Sequence, residues 1–457
     1  MPIADEGRGE GEGEGEGEGE GGCETAQVPA PGDVRTPDAE PGRTPSHTPG
    51  RTPSHTPDRP LSPLSPRTVL LFAVACGAAV SNVYLAQPLL ATLSQDFGIS
   101  AATIGAVVTL TQVGYGLGLF FLVPLGDLVD RRRLVMIQLL LLAATLIAVG
   151  TAATAPVLLA AIAAVGLLAV VTQTLVAFAA SLAGADRRGR VVGLVTSGVV
   201  TGILLARTAS GLLADLAGWR SVYLASAALT LVLTLALYRV LPRRTTPRPA
   251  LRYGQLLRST ATLFAQERLF RVRALLALLI FAAFSTLWSC VALPLSAPPM
   301  SLSHTAIGAF GLVGAAGALA AAPAGRLHDR GLAGPTTGIA LVLLVLSWLP
   351  LAATRQSLWA LAIGALVLDL AVQAVHVTNQ SLIYALRPDA GSRLIGGYMV
   401  FYSIGSATGA LASTTVYARA GWGAVCVLGA VFSALALLVW AVTLRSTTTA
   451  RRHTTRP

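Results

Sequence analysis

The sequence predicts an all-α integral membrane protein with twelve transmembrane helices in two six-helix, pseudo-symmetric bundles. Three observations carry this expectation. Apolar stretches of roughly 20 residues, each long enough to cross a bilayer as a helix, recur from Thr68 to Leu444. A charged knuckle occurs twice between such stretches, as Gly126-Asp127-Leu128-Val129-Asp130-Arg131 and, 199 residues later, as Gly325-Arg326-Leu327-His328-Asp329-Arg330. Both follow Gly-x-Leu-x-Asp-Arg, and a membrane unit repeated with its short loop is how transporters of two related halves are built. Third, the arginines sort to one side of the spans so derived.

Residues 1–66 read as a disordered cytoplasmic tail. Gly and Glu alternate from Gly9 to Gly22, and Arg-Thr-Pro-Ser-His-Thr-Pro appears at 43–49 and again at 51–57. Neither run offers an apolar face that could offset its ordering entropy. No cleavable signal peptide is expected, because the tail is acidic and the first apolar run starts near Thr68.

Twelve spans follow, at 68–93, 102–124, 134–154, 156–182, 191–214 and 220–241, then 272–296, 303–324, 335–353, 357–386, 392–416 and 421–444. The first six form a bundle over 67–241 and the second six a bundle over 272–445, with a C-terminal tail at 446–457. The linker 242–271 carries Arg243, Arg244, Arg248, Arg252, Arg258 and Arg268, with Leu256, Leu257, Leu263 and Phe264 among them. That mixture suits a helix lying on the cytoplasmic membrane surface.

Of the 28 Arg in residues 61–457, a cytoplasmic tail places 24 inside, leaves Arg220, Arg355 and Arg419 outside, and leaves Arg207 within a span. The 24-to-3 division obeys the positive-inside rule and puts both termini in the cytoplasm. The net charge of +11 divides likewise: residues 1–60 hold 13 acids against 5 Arg, and residues 61–457 hold 9 acids against 28 Arg. All of the basic side chains among Lys and Arg are Arg. Their place in membrane loops argues for a lipid surface, and no nucleic-acid partner is expected.

Composition and motifs exclude other classes. The chain is 53% hydrophobic and 12% charged, about half the charge of a soluble domain. There is no Walker-type phosphate loop, nucleophile elbow or His-Glu-x-x-His, so no enzyme and no cofactor is expected. Cys23, Cys76, Cys290 and Cys426 lie far apart, with no metal-binding or disulfide spacing.

The knuckles, with Arg132 and Arg133 after the first copy and Gly331 after the second, make the chain resemble the major facilitator superfamily over about residues 67–445. Finer matches are Asn82 with Gln87-Pro88-Leu89-Leu90, Gly202-Ile203-Leu204-Leu205-Ala206-Arg207, and Asn379-Gln380 with Tyr384 and Arg387-Pro388. These resemble a bacterial subgroup of proton-linked, drug-efflux-like permeases. The first knuckle lacks the Gly expected after Asp-Arg-x, and the fifth span lacks the Gly-Pro pairing that efflux antiporters often carry. The resemblance implies a monomeric carrier of the cytoplasmic membrane that moves a small molecule by alternating access, drawing on the proton gradient.

Asp369 is the one acid well inside a span, about midway along the tenth. A carboxylate there is costly to keep charged, so pairing or protonation is expected, and with it proton coupling. Asp369, Gln373, His376 and Gln380 are spaced 4, 3 and 4 apart, an arc of roughly 60° on a helix. This polar stripe fits either a water-filled cavity, in which His376 shares the proton, or helix–helix hydrogen bonding. Arg207 is expected either to face the cavity or to snorkel to the outer surface. Tyr84 with Gln87, and Gln112 with Tyr115, share a face in the first and second spans and fit either cavity lining or buried inter-helix bonds. Asn82 points away from Tyr84 by about 160°. Gly126, Asp127, Asp130 and Arg131, with Gly325, Asp329 and Arg330, are read as a conformational latch, or as ordinary loop charge. Gly311, Gly314 and Gly317, like Gly405 and Gly409, permit close helix approach. Export of a hydrophobic or amphipathic compound is favoured, and uptake of a small anionic metabolite held by Arg207 is the alternative, ahead of a non-transporting sensor.

Overall fold

The computed structural model describes residues 65–100, 103–183, 187–241, 253–255, 258, 262, 266–318, 326–327, 330–386 and 391–454. The tail to residue 64, most of the central linker, Gly325, Asp329, Arg387, Pro388 and the side chains of Asp127 and Tyr384 lie outside the described residues.

Among the described residues every regular element is helical. In the first half these are α1 (Pro66–Ser81), α2 (Leu90–Phe97), α3 (Gly105–Phe121), α4 (Arg131–Gly150), α5 (Ala155–Ala169), α6 (Val171–Leu182), α7 (Arg188–Ala217) and α8 (Trp219–Val240). The second half has α9 (Arg268–Trp288), α10 (Ala292–Ser296), α11 (His304–Ala318), α12 (Ala333–Leu346), α13 (Trp348–Ala352), α14 (Leu358–Leu386) and α15 (Gly391–Thr454). Nine helical stretches among the described residues are long and apolar enough to cross a membrane, and Pro66–Ser81 and His304–Gly314 are shorter apolar helices. One of the nine, Leu394–Thr443, holds the expected eleventh and twelfth spans. They are divided at Gly421, whose φ of 73° is open to glycine and strained for other residues.

Local chemistry sets the helix ends. Ser65 caps α1, accepting from the Thr68 amide at 3.2 Å, and Pro66 supplies the preset first turn. Asp130 caps α4 in the same way, its Oδ1 accepting from the Arg133 amide at 3.0 Å. The expected first span is not one helix. After Ser81 the chain passes through turns and a short 3-10 stretch, Gln87–Leu89, before α2 begins. Pro88 has no amide hydrogen to continue the ladder, and the bend carries both Tyr84 and Gln87.

Most spans are exposed to their surroundings along one apolar side, where Leu70, Leu205, Leu229, Ile339, Leu349 and Val442 stand at 46% exposure or more. Such a side suits lipid, which takes up apolar surface without penalty. Close backbone approach replaces side-chain packing where helices must touch. A Cβ on Gly198 would strike the Ala73 backbone, and one on Gly202 the Gly77 backbone, fixing α7 against α1. Gly114, Gly118 and Gly166 do the same between α3 and α5.

Gly198→Ala is therefore expected to destabilise the protein by about 1–3 kcal/mol through overpacking. Gly193→Ala on the same helix, where a Cβ meets nothing within 4 Å, should be close to neutral. Thermal unfolding in detergent measures both, and equal losses would contradict the packing account.

Candidate functional site

The two halves meet along α7 and α11 and along α3 and α15. The chain enters α1 at one end of this assembly, the proximal end, and α2 closes at the other, the distal end. Cross-half hydrogen bonds of described side chains run from the middle to the distal end: Tyr84 with Tyr402, Thr109 with the Ala407 carbonyl, Thr208 with the Gly308 carbonyl, and Thr92 and Asp215 with His304.

At mid-depth, α7 contributes Arg207, which is 4% exposed. The outward alternative does not hold, because the guanidinium is turned inward. Its Nε donates to Gln87 Oε1 at 2.6 Å. Its Cζ stands 4.3 Å from the centre of the Trp288 ring, 5.1 Å from that of Tyr84 and 5.8 Å from that of Phe284. Three ring faces thus balance a cation that has left water. Nη2 is shut off from solvent and has no acceptor.

Asp369, on α14, is 6% exposed. Its Oδ1 accepts from the Trp288 indole N–H at 3.0 Å. Trp288 therefore serves both charges, one through its edge and one through its face.

Helix α11 runs between them because it has no side chains in the way. Gly308 faces the Arg207 backbone carbonyl and Gly311 the Arg207 side chain. A Cβ on Gly314 would meet both Asp369 Oδ2 and Trp288, and one on Gly317 would meet Asp369 Cβ and the α14 backbone. Gly311, Gly314 and Gly317, expected to permit close helix approach, face the two buried charges.

His376 and Asp369 are not brought together. His376 Nδ1 bonds Tyr398 Oη at 2.9 Å, and its ring stands edge-on to Phe281 at 5.0 Å. Phe281, Phe284 and Trp288 follow one another along α9, with centres 5.9 and 6.4 Å apart. Gln373 is half-buried, and half-buried Gln380 points its Nε2 at Met399 Sδ, 3.9 Å away. Tyr84 Oη and Tyr402 Oη are 2.7 Å apart across the halves. Tyr115 accepts from Gln173 at 3.4 Å, and Gln112 is buried with its Oε1 unpartnered. Asn82 accepts from Ser226 inside the first half, away from Tyr84 as expected.

In the first knuckle, Arg131 donates from Nε to the Gly126 carbonyl at 2.9 Å and from Nη1 to the Ala177 carbonyl at 3.3 Å, both within its own half. Arg330 is exposed. A groove of about 900 Å3 between α1, α7 and α8 contains none of the candidate polar residues.

The halves are clasped at the distal end, by residues outside the expected site. His304 begins α11. Its Nδ1 lies 2.6 Å from Asp215 Oδ1, and its Nε2 lies 2.6 Å from Thr92 Oγ1. A carboxylate only accepts, so Nδ1 carries hydrogen, while a hydroxyl can donate or accept, so Thr92 partners Nε2 in either state of the ring. Asp215 also accepts from the amides of His304 at 3.1 Å and Thr305 at 2.7 Å. An acid from one half thus caps a helix of the other at its positive end. The available signal was two titratable residues at the facing ends of the fifth and eighth spans.

Comparison with known proteins fits this architecture. The profile of the Major Facilitator Superfamily matches residues 70–332 and 290–456. The chain belongs to the Major Facilitator Superfamily. It is 47% identical over 377 residues to the putative uncharacterized transporter YgaY of Escherichia coli, covering 82% of this chain and 95% of that protein. It is 34% identical over 402 residues to the probable transporter SCO4007 of Streptomyces coelicolor, covering 82% and 86%. The crystal structure of a bacterial homolog of the human lysosomal transporter Spinster, inward-facing and unoccupied, superposes with a TM-score of 0.66 over 82% of this chain and 96% of that one, at 14% identity. That likeness bears on the fold alone.

Asp215→Ala and Thr92→Val each remove part of the clasp. Each is expected to cost about 1–2 kcal/mol, and the pair less than the sum, because both act on His304. A double-mutant cycle on unfolding midpoints reads the coupling, and strict additivity would show that no joint clasp exists.

Proposed function

We propose that this superfamily member is a proton-coupled secondary transporter that exports a hydrophobic or amphipathic small molecule from the cytoplasm by alternating access, with Asp369 as the proton site. The observation that carries this reading is Asp369 itself, a carboxyl at the junction of α9, α11 and α14, closed off from water and bonded to an indole. Gaining or losing a proton there changes the charge balance around Arg207, and so biases the packing of one half against the other. The aromatic wall of Phe281, Phe284, Trp288, Tyr84 and Tyr402 suits an amphipathic cargo.

The arginine distribution supports a cytoplasmic-membrane location with the proximal end inside. On that orientation the His304 clasp shuts the outer side. Breaking it, while the first knuckle and its counterpart close the inner side, is the exchange that alternating access needs. Export is supported by a distant relative named for it, a probable sugar efflux transporter of Helicobacter pylori, 22% identical over 376 residues.

The test uses everted vesicles from a pump-deficient host. Asp369→Asn is expected to abolish cargo-evoked proton movement, with at least about a tenfold loss of gradient-driven accumulation, equivalent to 1.4 kcal/mol. Full coupling in that variant would remove Asp369 from the mechanism.

A further inference from the structure

We propose that Arg207 reads an acceptor oxygen on the cargo, and that the cargo carries no fixed positive charge. This names the cargo class of the site above and rests on the transport reading.

A buried guanidinium normally spends its five N–H donors on acceptors. Here Nε has Gln87, but Nη2 is closed off from water without an acceptor. Leaving such a donor bare is unfavourable, and more so for a charged group. The nearby acid does not relieve it. Asp369 takes its hydrogen bond from Trp288, and it makes no ion pair with Arg207 within 4.0 Å. The unmade bond is therefore available to whatever enters when the halves part. A carbonyl, carboxylate or similar oxygen is the chemistry that completes it.

The same geometry rejects cations. An acid beside Trp288, Phe284 and Tyr84 would by itself be a pocket for a cationic amphipath, since ring faces and a carboxylate both attract positive charge. Those faces are already held by Arg207, at 4.3, 5.8 and 5.1 Å. A second cation would have to displace the guanidinium or sit beside it at low dielectric. Once Asp369 takes a proton, the site is left with Arg207 alone and repels cations further.

The test is a binding measurement on the purified full-length protein, with probes that share one apolar body and differ in the head: 2-naphthoate, 2-naphthamide and the N,N,N-trimethyl-2-naphthylammonium ion. Thermal stabilisation and quenching of tryptophan fluorescence are read for each. The two oxygen-bearing probes are expected to bind at least about tenfold more tightly than the cation, a difference of 1.4 kcal/mol. Arg207→Gln should cancel or invert that order. Arg207→Lys, which keeps the charge but loses the fork, should still exclude the cation while weakening the oxygen-bearing probes.

Preferential binding of the cation by the unaltered protein would overturn the proposal. So would a preference for oxygen-bearing heads that Arg207→Gln leaves unchanged, or a failure of all three probes to bind. Because binding is read without a gradient, these results are independent of proton coupling, and the Asp369→Asn vesicle experiment decides that reading separately.

Discussion

A guanidinium from the first half of the chain and a carboxylate from the second are kept out of water with one indole between them. This arrangement constrains everything around it. Moving two charges out of water costs several kcal/mol each, and direct pairing often fails to recover the loss. Arg207 and Asp369 are not directly paired. The indole N–H of Trp288 satisfies the acid, its π-face meets the cation, and Gln87 takes one guanidinium hydrogen. The balance is incomplete at Arg207 Nη2, which has no acceptor. A structural ion pair would be expected to close that bond. A site that receives a ligand has reason to keep it open.

Helix α11 connects this centre to the distal end. Its glycines pass the two charges, and its first turn is capped by Asp215 from the other half. The helix is thus gripped at its start by the first half and threaded at its middle between side chains of both. A rigid element held at two places can relate them, so that a change in charge at Asp369 bears on the clasp at His304. The contacts that carry this relation are those at Gly314 and Gly317 on one side and at His304 on the other.

Much of the fold was legible in the sequence, because lipid demands long apolar helices and internal backbone bonding. The repeated knuckle led to the superfamily to which the chain belongs, and the arginine division to the expected topology. Within the site, legibility followed chemical rarity. Asp369 and Arg207 stood out because charges are expensive inside a span, and both are buried near one another. His376 was grouped with Asp369 because helical spacing shows which residues share a face. Spacing does not show that Asp369 bonds Trp288 of another helix while His376 bonds Tyr398. Trp288 was invisible for a related reason. An aromatic residue in an apolar helix has no sequence signature that separates packing from a bond to a distant acid. The break near Pro88 was signalled locally, but the long apolar run around it read as one helix.

The most direct test is an infrared difference titration of the purified protein, following carboxyl C=O stretching as pH is changed. The account predicts a band that comes and goes in the unaltered protein and is missing from Asp369→Asn, with Arg207→Gln changing its titration midpoint. The same band, undiminished in Asp369→Asn, would contradict the claim that this carboxyl carries the proton.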